Sequence, residues 1–253
     1  LGVKVVSGGL RAVWSARRDL PAAACVVTGI ENLANTSSAL ISYGVKNILC
    51  EKPGALSFEE LRALAQQAKA ASATCVIGYN RRCYASTQKA MEMLKADGGV
   101  TSFNFEFTEW SERLENLKKA PGVMQAFVLG NSSHVLDLAF YLGGRPAELN
   151  SVTGGKDELK WHPASSRFAG SGRAEGGALF SYHANWNGPG RWGVEVLSKS
   201  YRLILRPMEE LSVINRGTLN AVRVELDDEI DRTFKHGLHR QLELFLSGQH
   251  AEL

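Results

Sequence analysis

The sequence predicts an α/β domain with a parallel sheet, followed by an α+β domain with a mostly antiparallel open sheet. Two observations support this fold class. Short apolar runs alternate with helical patterns up to residue 95, and such alternation is typical of parallel βαβ units. In the later part of the chain, several strand patterns follow one another without helices between them, which favours antiparallel pairing. We therefore place the domains at residues 1–98 and 99–253.

Strand and helix patterns alternate through the first domain. The strand patterns cover residues 1–7, 25–28, 47–50 and 74–79, and the helical patterns cover residues 10–20, 35–43, 57–68 and 85–95. The third helix has the clearest start, because Ser57 and Glu60 form a capping box. Gly98 and Gly99 follow the last helix, and the domain boundary is placed there.

A period-two pattern begins the second domain, where Phe103, Phe105 and Phe107 alternate with polar residues. Such alternation predicts a strand with one buried face. Later strand patterns cover residues 149–153, 177–186, 193–198, 201–205 and 222–226, and an amphipathic helix covers residues 238–246. We expect helices on one face of an open sheet and a homodimer or homotetramer built through the other face.

Composition and charge exclude several classes of partner. The 253 residues are 44% hydrophobic, and 29 basic against 26 acidic residues give a formal charge of +3. No long basic run and no apolar stretch of bilayer length occurs, so we expect no nucleic acid and no membrane as partner. The four cysteines form no C-x-x-C pair, which predicts reduced, buried thiols, a cytoplasmic protein and no metal site. Because the chain begins with Leu1 and not with Met, the sequence leaves open whether the protein has an N-terminal targeting segment.

The stretch from Asn47 to Pro53 carries the strongest chemical signal. Its apolar run stops at Glu51, Lys52 and Pro53 in succession. In open α/β sheets, ligands bind beyond the carboxyl ends of the strands, so we expect this charged pair to face a crevice. Pro53 favours an extended backbone at Lys52 and directs the ammonium group out of the strand end. The alternative is a solvated turn pair, since charged residues are common in turns.

A second constellation lies at the start of the helical pattern near residue 134. His134 and Asp137 are three residues apart and share one helix face. Histidine transfers protons near neutrality, and a carboxylate one turn away fixes its tautomer and raises its basicity. Asn131 is a candidate for a hydrogen bond to a substrate. The alternative for His134 is a structural histidine.

Two other strand ends carry candidate binding residues. Thr28 and Gly29 follow the second strand pattern, where a glycine lets the backbone approach a phosphate or a ribose. Asn80 and Arg82 follow the fourth strand pattern, beside the Glu51-Lys52 strand end in a parallel sheet. The alternatives are a tight turn at Gly29 and a solvated arginine turn at Arg82.

The turn between Trp186 and Trp192 is rigid and flanked by aromatic residues. Its Arg191 is suited to bind a carboxylate or phosphate bidentately, and Trp186 is suited to stack on a sugar ring. The alternative is a loop at the sheet edge with packed tryptophans.

Three motifs occur in an order and spacing that resembles the glucose–fructose oxidoreductase/inositol dehydrogenase/rhizopine catabolism (Gfo/Idh/MocA) family. They are Glu51-Lys52-Pro53, Tyr79-Asn80-Arg81-Arg82 and His134-x-x-Asp137. The resemblance runs over nearly the whole chain. Three positions depart from the family pattern, with Gly29 in place of Pro, Leu33 in place of His and Gly130 in place of a frequent Asp.

The resemblance implies a Rossmann-type NAD(P)-binding domain followed by a substrate-binding and dimerisation domain. With NAD or NADP as cofactor, the candidate residues take three roles. The catalytic residues are Lys52, His134 and Asp137; the cofactor-binding residues are Thr28, Gly29, Glu51, Lys52 and Asn80; the substrate-binding residues are Arg82, Asn131, His134, Trp186 and Arg191.

The implied activity is hydride transfer between the nicotinamide and a hydroxyl or carbonyl of a sugar, nucleotide sugar or cyclic polyol. Lys52 would stabilise charge on the reacting oxygen, His134 would exchange the proton, and Asp137 would hold the imidazole ring. Two other functions stay open, an NAD-dependent glycosidase of the same fold and a non-enzymatic ligand sensor.

The glycine motif that seats the cofactor pyrophosphate in the resembled family is missing. No G-x-G-x-x-G occurs in the sequence. We therefore expect the Rossmann-type domain to be incomplete, with the chain truncated at its N-terminus. The chain alone should bind NAD or NADP more weakly than an extended chain, and we expect it to have little activity by itself.

Overall fold

A computed structural model describes residues 5–16 and 19–253. The helices are α1 Gly9–Ala16, α2 Leu33–Ser42, α3 Phe58–Ala70, α4 Ala85–Ala96, α5 Ser111–Leu114, α6 Ser133–Gly143, α7 Glu229–Thr233 and α8 Leu238–Leu246. The strands are β1 Ala24–Val26, β2 Asn47–Glu51, β3 Thr74–Gly78, β4 Ser102–Glu106, β5 Pro146–Gly154, β6 Arg167–Ala174, β7 Leu179–Asn185, β8 Gly193–Leu197, β9 Tyr201–Leu205, β10 Ser212–Asn215 and β11 Val222–Arg223. Short 3₁₀ turns lie at Ile30–Asn32 and Asn80–Cys83, and a π-helical turn lies at Val128–Ser132.

The first sheet is parallel, with the strand order β1-β2-β3. On one face, Val26, Ile48 and Cys50 are buried in an apolar cluster together with residues of α2 and α3. All three strands end at the same edge, which brings the segments after them together. Of the strand predicted over residues 1–7, residues 1–4 lie outside the described part and residues 5–7 form no strand.

Helix α3 begins with the capping box that the sequence predicts. Ser57 Oγ accepts a hydrogen bond from the Glu60 N–H at 3.2 Å, and Glu60 Oε2 accepts one from the Ser57 N–H at 3.2 Å. Because this cap fixes where α3 starts, it also fixes the length of the loop that follows Lys52 and Pro53.

The second sheet has eight strands in the order β11-β10-β9-β8-β4-β7-β6-β5. Only the β4–β7 pairing is parallel among its described pairs, which confirms a mostly antiparallel sheet. Phe103, Phe105 and Phe107 of the β4 segment are 2–3% exposed and belong to the main core, which also contains residues of α6. The proposed domain boundary at residues 98 and 99 lies between α4 and β4.

Strands β6 and β10 are absent from the sequence-based prediction. Strand β6 contains Gly170 and Gly172, and glycines usually weaken a strand pattern. In the structure, a Cβ at Gly170 would clash with the Tyr182 ring, and one at Gly172 would clash first with the Glu148 carbonyl oxygen of β5 and then with Phe180 Cζ at 2.6 Å. The aromatic side chains of β7 therefore need glycines opposite them.

None of the four cysteines forms a disulfide in the described structure. Cys50 and Cys83 are buried and Cys75 is partly buried, whereas Cys25 is exposed, so the prediction of a buried thiol is wrong for Cys25. Within the described residues, no helix combines the length and the apolar character that crossing a membrane requires.

Candidate active site

Lys52 lies directly after β2 and is buried, with 8% of its surface exposed. Its Nζ donates a hydrogen bond to the Gly130 carbonyl oxygen at 2.5 Å. This contact joins the end of the parallel sheet to the turn that precedes α6. Burial lowers the pKa of Lys52 to about 8, against the opposing attraction of the neighbouring Glu51 carboxylate. The solvated turn pair considered from the sequence is therefore excluded for Lys52.

His134 lies in the first turn of α6 and is 8% exposed. Its imidazole contacts the Tyr79 ring edge-on at 6.4 Å and the Trp192 ring at 6.1 Å between centroids. Burial lowers the pKa of His134 to about 2, and the positive charges of Arg81, Lys52 and Lys235 add to this effect. Nδ1 has no hydrogen-bond partner among the described residues. The imidazole is consequently neutral at physiological pH.

Asp137 does not hold the imidazole of His134, contrary to the expectation from their spacing. Its carboxylate forms a bidentate pair with Arg82, through Nε to Oδ2 at 2.8 Å and through Nη2 to Oδ1. Arg82 Nη1 also donates to the Leu253 carbonyl oxygen at 2.9 Å. One helical turn brings two residues to one face, but the strongest available partner decides where a carboxylate points. Asp137 thus neutralises Arg82, and it leaves the pKa of His134 lowered instead of raised.

Glu109 is a buried carboxylate that the sequence analysis did not single out. It is 3% exposed and follows β4. Its Oε1 accepts hydrogen bonds from Trp192 Nε1 and Asn131 Nδ2, both at 2.9 Å, and its Oε2 lies 3.4 Å from Arg191 Nη1. Burial raises the pKa of Glu109, and these donors oppose that shift. Glu109 therefore connects the β4 end to the turn before α6 and to the β7–β8 turn.

A cavity of about 490 Å³ lies beside Lys52 and is open to the surface. Its lining includes Thr28, Gly29, Lys52, Gly130 and Asn131. The structure thus brings together predicted cofactor-binding and substrate-binding residues from both parts of the chain.

Gly130 stands where the resembled family often has an aspartate, and the packing around it leaves little room for a side chain. A Cβ at this position would lie 2.9 Å from Ile30 Cδ1. A carboxylate on residue 130 would therefore require Ile30 to move.

A second cavity, of about 410 Å³, lies at the carboxyl edge of the parallel sheet. Its lining includes Glu51, Asn80, Arg81, His134 and Lys235. Burial raises the pKa of Glu51, while Lys52, Lys235 and Arg81 oppose that shift. The side-chain amide of Asn80 donates to the His236 carbonyl oxygen at 3.0 Å. Arg82, by contrast, lines a separate surface cavity together with Asp137.

Trp186 does not face a cavity, contrary to the sugar-stacking role considered for it. The indole is 1% exposed, stacks on Trp161 at 5.2 Å between centroids and donates from Nε1 to the Phe107 carbonyl oxygen at 3.0 Å. The alternative of a packed tryptophan is the correct one. Arg191 stays near the candidate site through its ion pair with Glu109 and its contact with the Trp192 ring at 4.5 Å.

The sequence does contain signals for two residues that were missed. Glu109 follows the alternating Phe103–Phe107 strand, so the rule that ligands bind at strand ends applies to it as well. Arg81 lies beside Arg82, and only the 3₁₀ turn at Asn80–Cys83 decides which of the two arginines meets a carboxylate. No group of His, Cys, Asp or Glu side chains suited to a metal ion occurs among residues 5–16 and 19–253.

No protein-family model and no curated protein sequence matches this chain. Solved structures match its fold. Levoglucosan dehydrogenase in complex with NADH and levoglucosan aligns with a TM-score of 0.65 and 21% identity over 82% of this chain and 61% of that chain. UDP-N-acetylglucosamine 3-dehydrogenase from Acidithiobacillus ferrooxidans aligns with a TM-score of 0.67 and 17% identity over 98% of this chain and 80% of that chain. An inositol dehydrogenase homolog complexed with NAD⁺ from Azotobacter vinelandii aligns with a TM-score of 0.69 and 18% identity over 85% and 60% of the two chains.

These similarities establish the fold class as the two-part arrangement of a small parallel sheet and a larger, mostly antiparallel sheet that these dehydrogenases also have. The chain spans 61% of the length of the levoglucosan dehydrogenase chain that it matches. At these identities the comparison concerns the fold, and the chemistry must be argued from the side chains at the candidate site.

Proposed function

We propose that the protein belongs to the Gfo/Idh/MocA family and transfers a hydride between NAD or NADP and a hydroxyl or carbonyl group of a sugar, nucleotide sugar or cyclic polyol. One observation carries the proposal. Lys52 is buried at the end of a parallel strand and bonded to the turn from which the His134 helix starts. Proteins of the same fold support it, since their solved structures include complexes with NADH, NAD⁺, levoglucosan and L-sorbose.

The donors around the first cavity fit the nicotinamide end of a dinucleotide. The backbone at Thr28 and Gly29, the ammonium of Lys52 and the amide of Asn131 are groups that bind ribose hydroxyls and a carboxamide. In the second cavity, the unpartnered Nδ1 of the buried His134 is a polar atom that a ligand would satisfy. When bound, the nicotinamide would supply the hydride chemistry that no side chain provides.

Lys52 is the residue to which we assign the proton of the reacting hydroxyl. An ammonium has three N–H donors, and only one of them is used within the described structure, toward Gly130. Because its pKa is lowered to about 8, Lys52 exchanges a proton near physiological pH. Its positive form stabilises negative charge that develops on the same oxygen.

His134 takes a different role from the one considered from the sequence. With its pKa lowered to about 2, the imidazole stays neutral and does not store the proton. A neutral imidazole donates from one nitrogen and accepts at the other, so His134 orients the hydroxyl for Lys52. Asp137 is left with a structural role, as the partner that neutralises Arg82.

We assign residues 1–98 to the cofactor-binding part and residues 99–253 to the substrate-binding part, which also forms a homodimer through the open face of its sheet. On that face, Ala169, Ser171 and Ser181 are exposed beside the edge strand β5. Four cysteines without a disulfide among them support a cytoplasmic location.

The test incubates the full-length protein with NAD or NADP and a panel of sugars, nucleotide sugars and inositols, and follows both nicotinamide absorbance and products. Accumulation of reduced nicotinamide with oxidised sugar is the expected result. Hydrolysis of a glycoside without net reduction would replace the proposal with the glycosidase function. Ligand binding without any product would replace it with the sensor function.

A further inference from the structure

Arg81 is a largely buried cation without a carboxylate beside it. It lies on the turn after β3, between the Trp192 ring at 5.0 Å and the Tyr84 ring at 5.8 Å from its guanidinium carbon. Its side chain makes no hydrogen bond and no ion pair with the described residues, and its Nε is buried without a partner. Glu51 and Glu209 act on it only at longer range.

Other arginines near the candidate site are neutralised. Arg82 binds Asp137, Arg191 pairs with Glu109 at 3.4 Å, and Arg206 pairs with Glu106 at 2.6 Å. A buried charge without a partner is destabilising unless a ligand supplies the opposite charge. Arg81 therefore differs from these arginines. Its guanidinium N–H donors have no partner among the described residues and are available to a ligand.

The cavity in front of Arg81 has an excess of positive charge. Lys235 lines the same 410 Å³ cavity, and both cations lower the pKa of His134 and of Lys52. Glu51 is the carboxylate that lines this cavity. Two cations, one carboxylate and the neutral imidazole of His134 thus line the cavity.

We propose that Arg81 and Lys235 bind an anionic group of the substrate, a carboxylate or a phosphate. A guanidinium suits both groups because its planar N–H donors match two oxygens at once. The inference rests on the proposed function and narrows its substrate class to acidic sugars, such as sugar acids, sugar phosphates or nucleotide sugars. His134 lines this cavity and Lys52 lines the other, so the proposal requires a substrate that extends from the reacting hydroxyl at Lys52 past His134 to Arg81.

The test measures binding by calorimetry with three probes, which are inorganic phosphate, D-glucuronate and D-glucose. It compares the parent chain with Arg81→Gln and with the matched control Arg62→Gln, whose side chain is exposed on α3. We expect both anions to bind the parent and the control more tightly than D-glucose does. Their affinity for Arg81→Gln should be about ten-fold lower, the loss of one charge-assisted interaction. Equal anion affinity in the two variants, or no anion binding by the parent, overturns the proposal.

Two further measurements separate the possible sources of the anion and the possible roles of Arg81. If Arg81→Gln weakens NAD⁺ binding as strongly as D-glucuronate binding, the site belongs to the cofactor phosphates and the substrate assignment is overturned. The ligand-free Arg81→Gln chain should unfold at a temperature no lower than the parent, because it loses an unpaired buried charge. A lower unfolding temperature together with unchanged anion affinity would make Arg81 purely structural.

A failure of this inference can be told apart from a failure of the proposed function. Anion binding through Arg81 without any nicotinamide reduction would leave this inference standing and remove the dehydrogenase. Oxidation of neutral sugars at a rate that Arg81→Gln does not change would leave the dehydrogenase and remove this inference.

Discussion

Lys52 and His134 have lowered pKa values for the same main reason. Both are buried, so each loses the hydration of its charged form, and each also faces the positive charge of Arg81. The sequence identifies both residues as site candidates, but the burial and the charges from other segments that set their pKa values come from the tertiary structure. For this reason the proposed function gives the proton transfer to Lys52, whereas the sequence-based hypothesis gave it to His134.

The first prediction concerns the turnover supported by Lys52. Lys52→Met should keep the fold and abolish oxidation of the substrate, because a neutral side chain of similar length neither accepts the proton nor stabilises charge on oxygen. In the full-length parent protein, the oxidation rate should rise with pH through about 8, as Lys52 loses its proton. The measurement is a pH–rate profile, with the exposed Lys69→Met as the control. Substantial turnover by Lys52→Met would remove Lys52 from the mechanism.

The second prediction concerns the acid sensitivity of the fold. The unfolded chain protonates His134 near its ordinary pKa of 6.5, whereas the folded chain does so only near a pKa of about 2. The unfolded state therefore binds more protons over this range, and stability falls as the pH falls below about 6.5. Between about pH 7 and about pH 5 the loss attributable to His134 is about 2 kcal/mol.

His134→Asn should remove the part of the acid-induced loss in free energy of unfolding that arises from the imidazole. Urea unfolding at the two pH values gives the difference in free energy of unfolding for the variant and for the parent. His239→Asn is the matched control for removing an imidazole, because His239 is exposed on α8. An equal loss of stability on acidification in His134→Asn and in the parent would show that the imidazole is protonated in the folded chain.

At the scale of secondary-structure elements, a sequence pattern predicts an element when contacts between residues close in sequence stabilise it. The capping box of α3 depends on residues three apart in sequence, and it forms as expected. Strand β6 depends on Tyr182 and Phe180 of the neighbouring strand, for which Gly170 and Gly172 leave space. A sequence pattern confined to β6 contains no sign of those rings, so the strand could not be predicted.

The third prediction tests how Glu109 holds three elements together. Glu109→Ala would leave the Trp192 indole N–H and the Asn131 amide without their acceptor and Arg191 without its carboxylate. Unsatisfied buried donors cost about 1–3 kcal/mol each, so we expect a loss of roughly 3 kcal/mol in free energy of unfolding. Chemical denaturation measures it, and the exposed Glu112→Ala should change stability by less than about 0.5 kcal/mol. A loss as small as that of the control would mean that Glu109 is dispensable for the fold.

At the scale of the whole molecule, the two-sheet architecture follows from patterns that the sequence shows plainly. The alternation of strands and helices gives the parallel sheet, and the run of strands after Phe103 gives the antiparallel one. The contacts between the two parts are not visible in either pattern. The Lys52–Gly130 hydrogen bond and the Arg82–Asp137 pair join residues 78 and 55 positions apart, and only the folded chain brings them together.

The last prediction concerns the open face of the larger sheet. Its outward residues on β6 and β7 include Ala169, Ser171 and Ser181, which are small and exposed, and the ladder pairs Ser171 with Ser181. Arg167, Arg173, Leu179 and His183 are exposed around these small residues on the same two strands. The small residues allow close approach of an identical face related by two-fold symmetry, so we expect a dimer in solution. Ser181→Arg should yield a monomer, because each dimer would bring two added cations together and leave them without partners.

Sedimentation velocity over a range of protein concentrations measures the oligomeric state, and far-ultraviolet circular dichroism verifies the fold of each variant. Gln66→Arg, at an exposed position on α3, adds the same charge far along the chain from this sheet and should remain dimeric. A parent chain that sediments as a monomer at every concentration would refute the dimer. A dimer that persists in Ser181→Arg would place the interface on another surface, since the two added guanidinium groups would face each other across an interface at Ser181 without a carboxylate between them.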